Sequence, residues 1–219
     1  MNIYLIRHGR QASNLLNDNV GLSVEGKEQA NLLGQRLSNE YHFDVLYSSD
    51  YIRAVETAQI LNSYLKVEHI IDKRFREVNL GDFTGLTDAQ VKQKYSEFLK
   101  LRSTMTVDNK YPGGGENCEM VYKRTFEAVS EIVKKGYSNV CVVMHGAAMR
   151  ALLTGIIGAD YARWLVLGRQ IENCSISQIY YDEDMKTYHI ERFNDYAHLE
   201  NRNDLLRKNY SCGFFSANK

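Results

Sequence analysis

Two apolar segments of the chain, at 3–6 and 139–144, each end in residues that could do chemistry. The residues are Arg7, His8 and Gly9 after the first segment, and His145 and Gly146 after the second. A neutral imidazole can attack phosphorus, and a guanidinium can bind two phosphate oxygens at once. A glycine beside them lets backbone N–H groups approach a bound anion. This combination indicates phosphoryl transfer.

Two further charged residues lie where they could join the same site. Arg53 lies just inside a predicted helix that follows the apolar segment 44–47, and Glu77 lies in a loop before Gly81. A carboxyl group can protonate a leaving oxygen and then activate water. Singly, each residue could equally be a structural histidine, a solvated charge or half of an ion pair. Their joint occurrence favours one phosphate site.

The same side chains leave two other interpretations open. His8, His145 and Glu77 could bind a metal ion as two imidazoles and one carboxylate. Arg7 and Arg53 argue against this, because fixed positive charges repel a divalent cation. We therefore expect neither a metal nor a cofactor. A non-catalytic phosphate-binding module is the other alternative, although a proton donor such as Glu77 is needed only for turnover.

The composition points to a small substrate. The 27 acidic and 27 basic residues of this 219-residue chain cancel, so no net field favours nucleic acid or a membrane surface. The four cysteines are widely spaced, which suits buried thiols in a reducing compartment. No apolar run approaches the length of a membrane span, and the chain opens on a strand. We expect a cytoplasmic protein, as a monomer or a homodimer.

Apolar periodicity predicts alternating strands and helices. A helix is expected after Ser23 as its N-cap, and another after the possible caps Ser48, Ser49 and Asp50. Strands are predicted near 3–6, 44–47, 67–71, 139–144, 175–181 and 187–193, and further helices near 87–101, 121–132 and after 146. This order predicts an α/β fold, a three-layer αβα sandwich with a mostly parallel central sheet. The carboxyl ends of such strands share one edge, where ligands bind.

Segments along nearly the whole chain resemble the histidine phosphatase superfamily, which includes the phosphoglycerate mutases. The segments are LIRHGRQ, LSVEGKEQA, VLYSSDYIRAVETA, FREVNLGDFTG, PGGGEN, VVMHG, NCSIS and FNDYAHL. The resemblance implies a phosphoglycerate mutase-like fold. It also implies a single histidine phosphatase domain over 1–219, with a cap-like insertion at about 87–115.

The resemblance also implies a role for each site residue. His8 would form a phosphohistidine, and Glu77 would protonate the leaving oxygen and later activate water. The phosphoryl oxygens would be held by Arg7, Arg53, a charged His145, Asn14 and the backbone N–H of Gly146. On physical grounds His8 must stay neutral, and a carbonyl that accepts from its other ring nitrogen would fix its tautomer.

Three residues have two interpretations each. Arg10 and Gln11 stand where members of this superfamily commonly have other residues. They are candidates for substrate binding, and Arg10 either binds a second anionic group or points to solvent. Glu116, in PGGGEN, is either a helix N-terminal residue favoured by the dipole or a carboxylate of the site.

The short segment between Glu77 and PGGGEN favours hydrolysis. Mutases of this superfamily carry longer inserts there, whereas this chain has one predicted helix and a polar linker. We therefore expect a phosphomonoester phosphatase that acts through a phosphohistidine on a small phosphorylated metabolite. Phosphoglycerate mutase-type phosphotransfer is the alternative. The apolar residues of the cap either pack against the sheet or face the site; they are Tyr95, Phe98, Leu99 and Leu101.

Overall fold

The computed structural model describes residues 1–207, which contain one six-stranded sheet. The strands are β1 (Asn2–Arg7), β2 (Val45–Ser48), β3 (Glu68–Ile71), β4 (Asn139–Met144), β5 (Ile176–Asp182) and β6 (Thr187–Asp195). Their order across the sheet is β3-β2-β4-β1-β5-β6. The pairs among β1 to β4 are parallel, and β5 pairs antiparallel with both β1 and β6. The predicted α/β fold with a mostly parallel sheet is confirmed.

Helices cover the sheet. They are α1 (Val24–Glu40), α2 (Ile52–Leu65), α3 (Asp88–Lys94), α4 (Ser96–Ser103), α5 (Cys118–Val133) and α6 (Gly146–Ile156). Helices α1 and α2 pack against Tyr4 and Ile6 of β1, whereas α5 and α6 share a core with Ile3 and Leu5. Successive residues of a strand point to opposite faces, so β1 is buried on both sides. Each such Leu or Ile contributes about 1.5–3 kcal/mol of burial free energy.

The helix boundaries confirm some sequence predictions and overturn others. Ser23 is the N-cap of α1, and its side chain accepts the N–H of Gly26. The N-cap of α2 is Tyr51, so the prediction of a Ser48, Ser49 or Asp50 cap is wrong. The helix predicted at 87–101 is two helices that meet at Tyr95.

The aromatic residues of the segment 87–115 pack into the core. Tyr95, Phe98 and Leu99 lie against it, and the rings of Phe83 and Tyr95 are 4.7 Å apart. Leu101 is 47% exposed, so the expectation that it packs or faces the site is wrong. The first turn of α4 therefore anchors the segment 87–115 to the core.

The end of the described chain returns to α1. Leu199, Leu205 and Leu206 form a small buried cluster against Leu32. Gln29 donates its side-chain amide to the carbonyl of Leu205 over 2.8 Å. The sequence also offers Phe214 and Phe215 as residues that could dock on this domain or on a partner subunit, and both lie outside the described residues. Within 1–207, none of the helices is both long and apolar enough to pass through a bilayer.

Candidate active site

His8 lies immediately beyond β1, and its ring is held in one tautomer. Nδ1 is 2.7 Å from the carbonyl oxygen of Gly9, which can only accept, so Nδ1 carries the hydrogen. Nε2 then keeps its lone pair. Burial and the charges of Arg53 and Arg7 hold the pKa of His8 well below its usual range. The ring is therefore neutral at physiological pH, as expected from the sequence, and Gly9 supplies the fixing carbonyl.

Backbone contacts also fix His8 between two strands. Its N–H donates to the carbonyl of Met144 at the end of β4 over 3.0 Å. Its own carbonyl accepts the side-chain amide of Asn173 over 2.7 Å. Asn173 is itself buried, just before β5. The backbone of His8 is thus held by the end of β4 and by the segment before β5.

Arg53 lies in the first turn of α2 and points its guanidinium at the imidazole. Its Nε donates to Nε2 of His8 over 3.2 Å. Its Nη1 donates to the carbonyl of Asp18 over 2.9 Å, and its Nη2 to Oδ1 of Asn17 over 3.2 Å. Burial lowers its pKa to about 10, so it stays a cation at neutral pH. The loop 17–18 therefore orients the guanidinium towards the imidazole of His8.

Arg7 and Gly9 flank His8. Arg7 donates from Nη1 to the carbonyl of Ile171, which draws the segment before β5 towards the site. The N–H of Gly9 donates to Oγ1 of Thr57 over 3.0 Å. A Cβ on Gly9 would lie 2.5 Å from the carbonyl oxygen of Gly26. Close packing against the start of α1 therefore requires a glycine at this position, and the approach of backbone N–H groups to an anion stays a prediction.

His145 precedes α6 and is fully buried behind His8. The two ring centroids are 4.9 Å apart, and Nε2 of His145 is 2.9 Å from Oγ of Ser49. Its Nδ1 makes no hydrogen bond to the described residues. Burial and the neighbouring Arg53, His8 and Arg7 hold the pKa of His145 well below its ordinary range. The ring is therefore neutral in this structure, and a charged His145 in the phosphate complex stays a prediction.

The carboxylate of Glu77 binds the N-terminus of α6. Oε1 accepts the N–H groups of Val78 and Ala148, over 3.0 and 2.8 Å, and Oε2 accepts that of Ala147 over 3.2 Å. Helix N-termini present such unpaired donors and favour negative charge. Gly146 lies beside Arg7, where a Cβ would come within 3.3 Å of Nε. The first turn of α6 thus orients the carboxylate.

Arg124 on α5 fixes the loop that carries Glu77. It donates to the carbonyls of Arg74, Arg76 and Glu77 over 2.7, 2.8 and 3.1 Å. It also pairs with Glu116, Nε to Oε1 over 2.8 Å. Glu116 in turn accepts the N–H of Asn79 over 2.9 Å. Glu116 is thus a partner of Arg124 that braces this loop, and Asn117 is the N-cap of α5.

A cleft with two adjoining cavities opens in front of His8. We call the first, of about 240 Å³, the phosphoryl lobe, and the second, of about 200 Å³, the second lobe. The predicted residues that line the phosphoryl lobe are Arg7, His8, Arg10, Gln11, Asn14, Arg53 and Glu77. Gly146 lines the second lobe, and His145 is absent from the described linings of both. Most of the predicted set therefore faces one space, as the strand-end argument expects.

The side chains at the edge of the phosphoryl lobe are polar and are held by an ion pair and hydrogen bonds. Nη1 of Arg10 lies 3.7 Å from Oε2 of Glu25, so this arginine forms a loose ion pair at the rim. The side-chain amide of Gln11 donates to the carbonyls of Ser13 and Leu15, each over 3.0 Å. Gln11 thus shapes the loop 13–15. Asn14 is exposed on that loop and lines the lobe.

Several residues of the site were missed by sequence reasoning. They are Asn17, Ser49, Thr57, Arg150, Asn173 and Arg207. The sequence offers Ser49 only as a possible helix cap. Asn173 could have been found from the sequence. Strand β5 is antiparallel to β1, so the residues just before β5 lie at the same edge of the sheet as His8, which follows β1. The others become visible only when the loops and helices are assembled. Within residues 1–207, no three metal-binding side chains come together in a group that could hold an ion.

A neutral imidazole, two arginines and a carboxylate at the edge of a mostly parallel sheet define a phosphoryl-transfer site on an α/β fold. The chain belongs to the histidine phosphatase superfamily (branch 1), whose family model matches residues 3–195. The family resemblance expected from the sequence is confirmed.

Similar proteins include both hydrolases and mutase-like proteins. Phosphoglycerate mutase-like protein 4 of Arabidopsis thaliana is 33% identical over 90% of this chain and 86% of its own length. Phosphoserine phosphatase 1 of Hydrogenobacter thermophilus is 31% identical over 96% of this chain and 92% of its own. A solved mycobacterial glucosyl-3-phosphoglycerate phosphatase with inorganic phosphate superposes with a TM-score of 0.80, at 26% identity over 90% and 98% of the two chains.

Proposed function

We propose that this protein is a phosphomonoester phosphatase that acts through a phosphohistidine on a small phosphorylated metabolite. The observation that carries the proposal is the state of His8: a neutral ring with its lone pair on Nε2, facing a lobe that Arg7, Arg53 and Glu77 also line. The phosphatases among the relatives support the same reaction class.

In the first step, Nε2 of His8 attacks phosphorus in line with the departing oxygen. An N–P bond forms, and the bond between phosphorus and the leaving oxygen breaks with its electron pair on oxygen. Glu77 supplies the proton to that oxygen. Its Oε2 accepts only one backbone N–H among the described residues and so retains a site for a proton. Arg7 and Arg53 would bind the phosphoryl oxygens as negative charge redistributes.

In the second step, Glu77 takes a proton from water as the water oxygen attacks the phosphohistidine. The N–P bond breaks, inorganic phosphate leaves, and His8 returns to its neutral tautomer. We propose that His145 faces the phosphoryl group through Nδ1, because Ser49 already engages its Nε2. A phosphate dianion beside it would favour the charged form of the ring. Asn14 and the N–H of Gly146 stay proposed further contacts.

A phosphoglycerate mutase-type phosphotransfer is the second candidate, favoured by the mutase-like relatives. In a phosphatase water hydrolyses the phosphohistidine, whereas in a mutase the phosphohistidine must be protected from water until it transfers its phosphoryl group to a substrate. We propose a single domain over 1–219 in which the segment 87–115 is a short cap. This cap contributes Asp88 to the phosphoryl lobe and Tyr111 to the second lobe. A short cap lets water reach the phosphohistidine, which favours hydrolysis.

The test uses His8→Ala with 4-nitrophenyl phosphate, and His42→Ala as the matched control on an exposed histidine. We expect the first variant to lose hydrolysis and the second to retain it. Brief mixing of the wild type with substrate and acid-free quenching should give a phosphoprotein that is stable in base and labile in acid. Hydrolysis by His8→Ala near the wild-type rate would defeat the proposal.

Incubation with a phosphoglycerate, with and without its bisphosphate, separates the two candidates. Release of inorganic phosphate supports the phosphatase, and isomer formation without phosphate release supports the mutase. We also propose a reducing, cytoplasmic location. Cys118, Cys141 and Cys174 are free thiols in the buried core, which suits such a compartment.

A further inference from the structure

We propose that the second lobe binds the leaving group and selects one that carries a second anionic group on an apolar body. This inference rests on the proposed phosphatase function and names its substrate class. It concerns the part of the cleft that extends beyond Arg7, Glu77 and Gly146, the lining residues already given a role in the phosphoryl chemistry.

The position of Glu77 directs the leaving group into the second lobe. Arg7 and Glu77 line both lobes, so the two spaces meet at the proposed proton donor. In-line attack by His8 sends the leaving oxygen to the far side of phosphorus, and Glu77 must reach that oxygen. The rest of the leaving group therefore begins at the junction and continues into the second lobe.

The second lobe has an excess of positive charge. Arg7, Arg150, Arg169 and Arg207 line it, whereas Glu77 is the only carboxylate among its described lining residues. The oxygens of Glu77 are already bound by backbone N–H groups. Arg7 and Arg207 also line the phosphoryl lobe, so Arg150 and Arg169 are the arginines that line the second lobe alone and could bind a second anion.

Arg150 is the better placed of these two arginines. It belongs to α6, and its Nε and Nη2 donate to the carbonyls of Leu167 and Gly168, each over 2.9 Å. These bonds fix the plane of the guanidinium, while Nη1 makes no hydrogen bond to the described residues. Burial and the charge of Arg7 lower the pKa of Arg150 to about 10, so it is charged at neutral pH. A fixed cation without a carboxylate partner in residues 1–207 suits an anionic ligand.

Arg169 lies in the loop whose carbonyls bind Arg150, and it lines the same lobe. It lies next to Gly168, whose backbone is in the left-handed region at φ 70°. Arg169 is exposed and forms no ion pair with the described residues. The loop 167–169 therefore supplies carbonyls that bind Arg150, and it also contains Arg169.

The other walls of the second lobe are apolar. Trp164 is 2% exposed, and Tyr111, Val78 and Ile171 are also buried. Arg102 of α4 stacks behind two of these walls, with its guanidinium carbon 4.4 Å from the ring centre of Tyr111 and 5.0 Å from that of Trp164. These contacts hold the aromatic walls in place. A cavity of roughly 150 Å³ accommodates benzene, so this lobe has room for a small ring or a short aliphatic chain.

The experiment compares esters with matched leaving groups. The neutral ester is 4-propylphenyl phosphate, and the carboxylate ester is the phosphate of 3-(4-hydroxyphenyl)propionate. A third ester, with a second phosphate at the end of the side chain, distinguishes a carboxylate from a phosphate as the preferred anion. We expect kcat/KM for at least one anionic ester to exceed that for the neutral ester by about tenfold or more, as for hydrogen bonds to charged groups.

Variants then assign that preference to the lobe. Arg169→Met should lower the ratio of anionic to neutral kcat/KM by about tenfold. Arg150→Lys keeps the charge but loses the planar fork, and it should lower the ratio as well. Arg163→Met is the matched control, because Arg163 is exposed in the same segment and outside the described linings of both lobes. The control should leave the ratio unchanged.

The outcomes separate this inference from the proposed function. If wild type hydrolyses all three esters equally, or if Arg169→Met and Arg163→Met change the ratio alike, the second lobe does not select anions. The phosphatase proposal survives that result as long as hydrolysis of the neutral ester depends on His8. Hydrolysis that persists in His8→Ala would instead overturn the phosphatase proposal itself.

Discussion

Nε of Arg53 donates to Nε2 of His8 over 3.2 Å, so the proposed nucleophilic nitrogen faces a fixed cation. A proton on Nε2 would place two positive charges at this distance. Burial and the charges of Arg53 and Arg7 accordingly hold the pKa of His8 well below 6.5. The nucleophile thus stays neutral, and reactive, at pH values where an ordinary histidine is charged.

We expect Arg53→Met to raise the pKa of His8 and to move the acid limb of the kcat/KM profile to higher pH. The sign follows because the protonated ring cannot attack, and removing a neighbouring cation favours protonation. The rate at the optimum should also fall by about 10²-fold or more, through loss of phosphoryl binding. The dependence of kcat/KM on pH for 4-nitrophenyl phosphate measures both the shift of the acid limb and the loss of rate, with Arg163→Met as the control. An acid limb at an unchanged pH would contradict the role of Arg53.

We expect Glu77→Gln to slow poor leaving groups far more than good ones. An alkoxide needs a proton to depart, whereas 4-nitrophenolate departs without one, and general acid catalysis is worth about 10²- to 10⁴-fold. The amide oxygen of the introduced glutamine can still accept N–H groups of α6, so the loop should stay in place. Rates for an alkyl ester and for 4-nitrophenyl phosphate give the comparison. Equal slowing of both would remove Glu77 from the acid role.

Arg124 should act as a positioning residue for Glu77. Five hydrogen bonds join it to Glu116 and to the carbonyls of the loop. Lysine cannot reproduce the planar fork, so Arg124→Lys should lower kcat for the alkyl ester by about tenfold while 4-nitrophenyl phosphate is less affected. Lys123→Met, on an exposed neighbour in α5, is the control. Equal effects on both esters would indicate general damage to the fold.

Glu172 should make stability depend on pH. It is 7% exposed, and burial raises its pKa from 4.5 to about 7 although the charge of Arg7 opposes this. Its contribution is therefore fully present below pH 4.5 and is lost as the pH rises through about 7. At about pH 8, Glu172→Gln should be more stable than wild type by about 1–3 kcal/mol, with little difference at about pH 4.

Urea unfolding at several pH values measures this difference. The glutamine oxygen can still accept the N–H groups of Asn173 and Arg207 that now bind Oε1 of Glu172. Glu97→Gln, on an exposed residue of α4, is the control and should show no such dependence. A constant difference across pH would mean that the carboxyl of Glu172 does not titrate in this way.

The sequence predicted the features that depend on local pattern. The sequence predicts strand β4 at its observed bounds because the five residues after Asn139 are all apolar. His8, Arg53 and Glu77 were brought together because the ends of parallel strands share an edge.

Features that depend on the assembled fold were not predictable in this way. Ser49 was interpreted as a cap, but its hydroxyl contacts His145, which lies 96 residues further along the chain. The neutrality of His145 follows from its burial behind His8, which no local pattern reveals. The second lobe brings together Tyr111, Arg150 and Trp164, which no spacing in the chain connects.

The bond between Glu77 and the first turn of α6 has a consequence for protein engineering. His145 is the N-cap of α6, so the helix that begins at this proposed catalytic residue also orients Glu77. If the loop that carries Glu77 were replaced by that of a relative, the carboxylate would no longer match the positions of the N–H groups in α6 unless residues 145–148 were replaced as well. Chimeras that exchange these two segments together should keep turnover, whereas exchange of either one alone should not.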